Sequence, residues 1–183
     1  MSQRLHRVRK LWIDTDAVAA VEFAIVVPFM LLLYVGGVEL GNGLAISVKV
    51  SETAHTVADL VSRNACVTDS SLSTMLGASS ATIAPYSSAN AAVVVSEIST
   101  DANGNATVTW STALNGTPLT PTQPITLPAA LGTPSPSNIS LILGQVSYAY
   151  TPGLGYAISG TVSIADSYYL FPRVTSAVQY PCS

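Results

Sequence analysis

Three residue types that form hydrolytic triads occur four positions apart in one stretch of this chain. Ser51, His55 and Asp59 would share one face of a helix, because residues four apart lie one turn above each other. A Ser-His-Asp set catalyses acyl transfer when the three groups converge beside oxyanion donors. On a straight helix they point outward in parallel, without such donors or a pocket that excludes water. The spacing therefore predicts a solvated polar face, and we expect no enzymatic activity.

The other residues that could do chemistry are scattered along the sequence. The only further histidine is His6, and the acidic residues of the C-terminal part lie far apart: Asp69, Glu97, Asp101 and Asp166. No glycine-rich loop follows a strand pattern, and no basic patch with interleaved aromatic residues is present. We therefore expect no cofactor, no metal ion and no nucleic acid as a partner.

The longest apolar run of the chain carries a single carboxylate, Glu22. A helix over residues 17–38 would span roughly 33 Å at about 1.5 Å per residue, which is enough for a hydrocarbon core of ~30 Å. The residues that follow include no Ala-x-Ala site, so we do not expect removal by signal peptidase. Four basic residues precede the run: Arg4, Arg7, Arg9 and Lys10. Since basic residues stay on the cytoplasmic side, the C-terminal part should lie outside the cytoplasm.

Cys66 and Cys182 are the only cysteines of the chain. An even count in a segment placed outside the cytoplasm favours a disulfide, which would enclose residues 67–181. Loop-entropy models give about 4.7 kcal/mol for a loop of roughly 100 residues. Two free thiols are the alternative. A metal site is disfavoured, because two cysteines without a neighbouring histidine supply too few ligands.

The elements that position these residues divide the chain into four parts. We expect a basic cytoplasmic leader at 1–17, a transmembrane helix at 18–41, an extracytoplasmic continuation of that helix at 42–64, and an extracytoplasmic domain at 65–183. One helix should run from about residue 17 to 63. Pro28 lies inside it and should kink the helix without ending it.

Residues 65–183 alternate turn signals with β-branched runs. A short helix is expected over residues 68–80, with Asp69 or Ser70 as N-cap and Leu72, Met75 and Leu76 on its buried side. Two strands should form a hairpin around the Asn103-Gly104 turn. Three further strands are expected at 139–152, 160–172 and 174–180, and the proline- and threonine-rich segment 115–138 should be an irregular surface loop.

These patterns define the fold class. Only 9% of the residues are charged, against roughly 25% in an average soluble protein, which is typical of a β-rich domain outside the cytoplasm. We therefore predict an α+β protein, in which a long N-terminal transmembrane helix continues into a small five-stranded antiparallel domain closed by the disulfide.

The stretch "AVAAVEFAIVVPFMLLLYVGGVELG", residues 17–41, resembles the N-terminal segment of TadE-like proteins. These are minor pseudopilins of the tight-adherence (Flp-type, type IVb) pilus systems of bacteria. Shared features include Glu22-Phe23, a proline five residues after the phenylalanine, and a Glu-Leu-Gly at the far end. The segments "ADLVSR", which ends at Arg63, and "YYLFPR", which ends at Arg173, are also similar to that family.

The resemblance implies a pilin-like helix and a role as a structural or assembly component of a pilus. In such proteins a prepilin peptidase cuts on the cytoplasmic side of the helix, which here falls between Ala17 and Val18. Ala17 stands where the family usually has glycine. Glu22 would become the fifth residue of the mature chain, followed by Phe23. The implied partners are prepilin peptidase, other pilins and pseudopilins, and inner-membrane assembly proteins.

The resemblance also implies a location and leaves two interpretations of Glu22. The location is the bacterial inner membrane, with a single pass, a cytoplasmic N-terminus and a periplasmic domain; after assembly it would be the pilus or the cell surface, with adhesion and biofilm formation as the outcome. Glu22 either pairs with the freed amine of Val18, its own or a neighbour's, or reaches back to Arg9 or Lys10 at the interface.

A second hypothesis belongs to a different functional class. The chain would remain uncleaved as a membrane-tethered extracytoplasmic binding module or accessory protein of the pilus machinery. Its binding surface would then consist of the loop at 115–138 and three aromatic residues expected to be exposed: Tyr148, Tyr150 and Tyr156.

Overall fold

The computed structural model describes residues 15–132, 135–153 and 160–182, so most of the leader and Tyr156 lie outside the described residues. Its first element is helix α1 (Thr15–Ser62), whose 48 residues continue through Pro28. The expected long helix is thus confirmed to within two residues at either end. The chain forms two compact units, one that contains α1 up to Asn42 and one that contains Gly43–Thr151 together with the C-terminal segment from Thr161. We refer to the second unit as the domain.

The second helix, α2 (Asp69–Ser80), lies within the range 68–80 expected from the sequence. Its N-cap is Thr68, whose hydroxyl accepts the N–H of Ser71 at 3.2 Å, while the Ser71 hydroxyl accepts the N–H of Thr68 at 2.8 Å. The expected cap at Asp69 or Ser70 is therefore wrong, because this reciprocal pair needs two hydroxyl side chains three residues apart. Leu72 and Leu76 are buried as expected, and Met75 is half-buried.

Five strands form one antiparallel sheet, which confirms the predicted fold class. They are β1 (Ala91–Thr100), β2 (Ala106–Leu114), β3 (Pro124–Ile125), β4 (Ser140–Tyr150) and β5 (Val162–Leu170). Their order across the sheet is β3-β2-β1-β4-β5. The turn at 101–105 joins β1 to β2, whereas the longer segment after β2 leads to β4 on the opposite side of β1.

The fifth strand is not the one expected from the sequence. Residues 174–180 contain no strand and make only an isolated bridge between Gln179 and Cys66, whereas β3 lies inside the segment expected to be irregular. Residues 174–180 do not join the sheet because their backbone groups bond to another segment. The N–H of Gln179 donates to the carbonyl of Ala65 and the N–H of Val67 donates to the carbonyl of Gln179, so this segment pairs with the chain that leaves α1.

The β1–β2 turn follows the expected Asn-Gly hairpin. The Asp101 carboxylate accepts the backbone N–H groups of Asn103 and Asn105, each at 2.8 Å, and the Asn105 side-chain amide at 2.9 Å. These hydrogen bonds hold the pKa of Asp101 below its usual value, and the bond from the Asn105 side chain has the largest effect. Gly104 adopts a φ of +80°, which a residue with a side chain rarely does.

A bulge in β2 directs its side chains to two hydrophobic clusters on opposite faces of the sheet. Trp110 pairs with Glu97 and Val108 pairs with Ile98, so Thr109 is the extra residue between them. As a result Trp110 packs with the cluster between the sheet and the helices, and Val108 packs with the cluster on the other face. The segment 115–132 covers this second cluster with four partly buried side chains: Leu119, Ile125, Leu127 and Leu131.

Helix α1 approaches the backbone of β4 at Gly144. A Cβ atom at this position would overlap the carbonyl oxygen of Ala54 and would lie 2.9 Å from Cγ1 of Val57 and 3.2 Å from Cβ of Ala58. Real Cβ atoms are almost never found so close to a backbone atom. The glycine therefore sets the distance between the helix and the sheet.

We expect Gly144→Ala to lower the free energy of unfolding of the domain by about 1–3 kcal/mol, because the added methyl group overpacks the contact with α1. Urea denaturation of the full chain in detergent measures the change. Gly77→Ala is the matched control, since a Cβ there has no neighbour within 4 Å and replaces glycine inside a helix. The control should raise stability by up to about 1 kcal/mol. An unchanged midpoint for Gly144→Ala would contradict the close approach.

Candidate assembly helix and the clasp at its end

Between Val18 and Val38, α1 is apolar on all sides apart from Glu22. Its large side chains are exposed, among them Phe23 at 71%, Leu33 at 73% and Tyr34 at 71%. A helix that is hydrophobic all round belongs in lipid or among other helices. In the described part of the chain, α1 is the helix that is long and apolar enough to cross a membrane.

Glu22 and Phe23 are exposed on this part of the helix, and Glu22 lies one turn after Val18. Because helical side chains tilt toward the N-terminus, the Glu22 carboxylate extends toward the turn that contains Val18. The bond between Ala17 and Val18 lies within α1 (Thr15–Ser62).

Two arginines hold one carboxylate at the other end of α1, an arrangement we call the clasp. Asp59 Oδ1 lies 2.7 Å from Nη2 of Arg173, and its other oxygen is paired with Nη2 of Arg63. The backbone N–H of Arg173 also donates to the carbonyl of Ser62 at 2.8 Å, which satisfies one of the last carbonyls of the helix. The clasp therefore ties the segment after β5 to the end of α1.

The polar face of α1 is accessible to solvent, as expected for Ser51, His55 and Asp59, since His55 is exposed and the other two are partly buried. Its side chains also contact β5 and the clasp. The Ser51 hydroxyl donates to the carboxylate of Asp166, and the His55 ring meets the Tyr168 ring edge-on at a centroid distance of 4.6 Å. Each member of the supposed triad thus has its own partner on β5 or in the clasp. They form a seam between α1 and β5, because the helix lies along this strand.

The disulfide between Cys66 and Cys182 is present, with the two Cα atoms 5.5 Å apart, so the alternative of two free thiols is wrong. Backbone hydrogen bonds accompany it. The N–H of Cys182 donates to the carbonyl of Val67 at 3.2 Å. The backbone of Gln179 is hydrogen-bonded to Ala65 through its N–H and to Val67 through its carbonyl. The C-terminal segment is therefore fixed against the chain that leaves α1.

Glu97 and Trp110 hold the same segment from the sheet, a role that the sequence analysis missed. Glu97 is buried, and its Oε1 accepts the Ser140 hydroxyl at 2.6 Å and the N–H of Val178 at 2.7 Å. Trp110 Nε1 donates to the carbonyl of Val178 at 2.9 Å. The sequence of β1 could have shown that Glu97 is buried. Side chains alternate between the two faces of a strand, so Glu97 lies on the same core-facing side as Val93 and Val95.

Of the three aromatic residues proposed for ligand binding, the two in the described part of the chain, Tyr148 and Tyr150, are not exposed. Tyr148 is buried in the core against Tyr86, with ring centroids 6.5 Å apart, and Tyr150 is partly buried beside the same cluster. The Tyr180 hydroxyl donates to the Asp69 carboxylate at 2.5 Å, and this bond raises the pKa of Tyr180. Among the described residues, no three His, Cys, Asp or Glu side chains lie close enough together to hold a metal ion.

The comparisons with known proteins concern mainly α1. The family model described as TadE-like protein matches residues 17–59, which include Val18, Glu22 and Phe23 and end at the Asp59 of the clasp. No curated protein and no solved structure matches the chain. Over residues 17–59, which form most of α1, the chain is therefore similar to TadE-like proteins.

Proposed function

We propose that this chain is a non-enzymatic structural or assembly component of a tight-adherence pilus, a TadE-like minor pseudopilin. The proposal rests on the position of the TadE-like segment relative to the apolar helix and its carboxylate. The segment similar to TadE-like proteins begins at residue 17, next to the stretch of α1 from Val18 to Val38 whose large apolar side chains are mostly exposed, and this stretch carries a carboxylate at its fifth position. An exposed helix of this kind needs lipid or neighbouring helices around it.

The carboxylate gives the helix a means of selective docking. A charge at the centre of a membrane helix costs on the order of 2.5–3.5 kcal/mol on insertion scales, and less near an end. Cleavage between Ala17 and Val18 would create a positive amine one turn from Glu22. Charges inside a membrane pair with one another, so the amine and the carboxylate would neutralise each other, within one chain or between neighbours. Docking would then depend on processing by prepilin peptidase.

The domain would act as a rigid head on the periplasmic side of the inner membrane. The clasp, the disulfide and the hydrogen bonds of Glu97 and Trp110 to Val178 all fix the C-terminal segment to the end of α1 or to the sheet. This construction leaves no free C-terminal tail among the described residues up to Cys182. The uncleaved binding module has less support, because Tyr148 is buried.

The mass of the N-terminal peptide tests the proposal. In pilus-producing cells we expect a mature chain that begins at Val18, and in cells without prepilin peptidase a precursor that retains the leader. Ala17→Gly is the control variant, since it restores the residue usual in the family and should be processed at least as completely. A leader retained in both kinds of cell would reject processing and favour the uncleaved module.

A further inference from the structure

A turn at the tip of the segment 115–132 contains a threonine in an unfavourable conformation. The N–H of Gln123 donates to the carbonyl of Thr120 at 3.1 Å, with Pro121 and Thr122 between them, and Thr122 has a φ of +66°. A β-turn with proline at its second position and a positive φ at its third position is a type II turn, and its third residue is normally glycine or asparagine. A β-branched residue there is an outlier, so folding alone does not favour this threonine.

The backbone of Thr122 is fixed while its side chain faces solvent. Its N–H donates to the carbonyl of Val108 at 2.8 Å, and the N–H of Val108 donates to the carbonyl of Gln123 at 3.0 Å. The apolar side chains of the same segment pack against the second cluster. The turn is therefore held on the surface of the sheet, with the Thr122 side chain exposed.

The hydroxyl of Thr122 has no structural partner within the described residues, and the same holds for three other exposed threonines of this segment: Thr117, Thr120 and Thr126. Threonines on the helices differ, since the hydroxyls of Thr53, Thr56 and Thr74 all donate to backbone carbonyls. Exposed threonines among prolines are a pattern found in O-glycosylated segments.

We infer that Thr122 is an O-glycosylation site. The Thr122 oxygen would attack the anomeric carbon of a sugar attached to a polyprenyl pyrophosphate and form a glycosidic C–O bond. The bond from the anomeric carbon to the pyrophosphate breaks, the pyrophosphate lipid leaves, and the hydroxyl proton passes to a base of the transferase. Lipid-linked donors serve transfer outside the cytoplasm, so the inference rests on the periplasmic placement of the domain in the proposed function.

Mass spectrometry of the chain purified from its own cells tests the inference. After chymotrypsin digestion, the peptide that covers residues 120–131 should carry the added mass of one or more sugars, and electron-based fragmentation should place it on Thr122. Thr122→Asn should lose this mass completely, and asparagine suits the positive φ, so the variant should fold. Thr122→Ser keeps a hydroxyl and should keep the modification. Ser73→Ala removes an exposed hydroxyl from α2, a helix without proline, and should change nothing.

Each other result has a defined meaning. An unmodified peptide overturns the inference, as does a mass increase of one phosphate group or a sugar confined to the neighbouring threonines. The N-terminal peptide in the same digest reports cleavage between Ala17 and Val18 independently. A cleaved chain without sugar therefore rejects the modification alone, and an uncleaved chain with sugar rejects the processing alone.

Discussion

We expect Glu22→Gln to abolish piliation while the protein still inserts into the membrane. The substitution removes the charge and keeps the size of the side chain, so the helix becomes easier to insert. It also removes the partner of the Val18 amine, which would then enter a helix bundle unpaired. Electron microscopy of surface pili and the amount of protein in the membrane fraction measure the two effects. The number of pili should fall at least tenfold, with an unchanged amount of protein in the membrane.

Glu52→Gln is the matched control, since it neutralises a carboxylate on the same helix beyond the apolar run. Glu52 is exposed and pairs with Lys49 at 2.9 Å, an i,i+3 surface pair of the kind that contributes little to stability. This variant should produce pili at the normal number. Cells that carry Glu22→Gln and remain normally piliated would show that the proposed charge pairing is wrong.

Removal of the disulfide should have the largest effect on the stability of the domain. Cys66→Ser combined with Cys182→Ser should lower the free energy of unfolding by about 3–5 kcal/mol, because the unfolded chain regains the freedom of a loop of more than 100 residues. The double variant avoids the unpaired thiol that a single substitution would leave. Urea denaturation of the full chain in detergent, followed by circular dichroism, measures the loss.

The wild-type chain under reducing conditions is the control for this prediction. It should unfold at the same urea concentration as the double variant if the covalent bond, and not the cysteine side chains, supplies the stability. Both forms should still fold at low urea, since Glu97 and Trp110 keep their hydrogen bonds to Val178. A loss below 1 kcal/mol would mean that these contacts already restrict the segment in the unfolded state.

Local patterns predicted the elements that depend on local interactions. The length and apolarity of the run around Glu22 were sufficient to predict α1, because a helix satisfies its backbone hydrogen bonds within itself. The Asn103-Gly104 turn was sufficient to predict the β1–β2 hairpin, since the conformation of the turn sets the pairing of its flanking strands. The pairing of Cys66 with Cys182 followed from their number, because two cysteines allow a single intramolecular bond.

Contacts between distant parts of the chain decided the rest. Residues 174–180 have the composition of a strand, yet Cys66, Glu97 and Trp110 offer this segment partners that no local pattern reveals. The proline-rich segment supplies a strand and covers a cluster because the bulge at Thr109 turns Val108 to that face.

A membrane-length helix with one carboxylate, a hairpin and a disulfide can all be predicted from spacing along the chain. Long-range packing brings Arg173 to Asp59 and lets Ser51 and His55 form a seam with β5. These contacts join residues more than a hundred positions apart, whereas Arg63 lies only four positions from Asp59. They form because Gly144 lets α1 approach the sheet closely enough for its polar face to reach the edge strand.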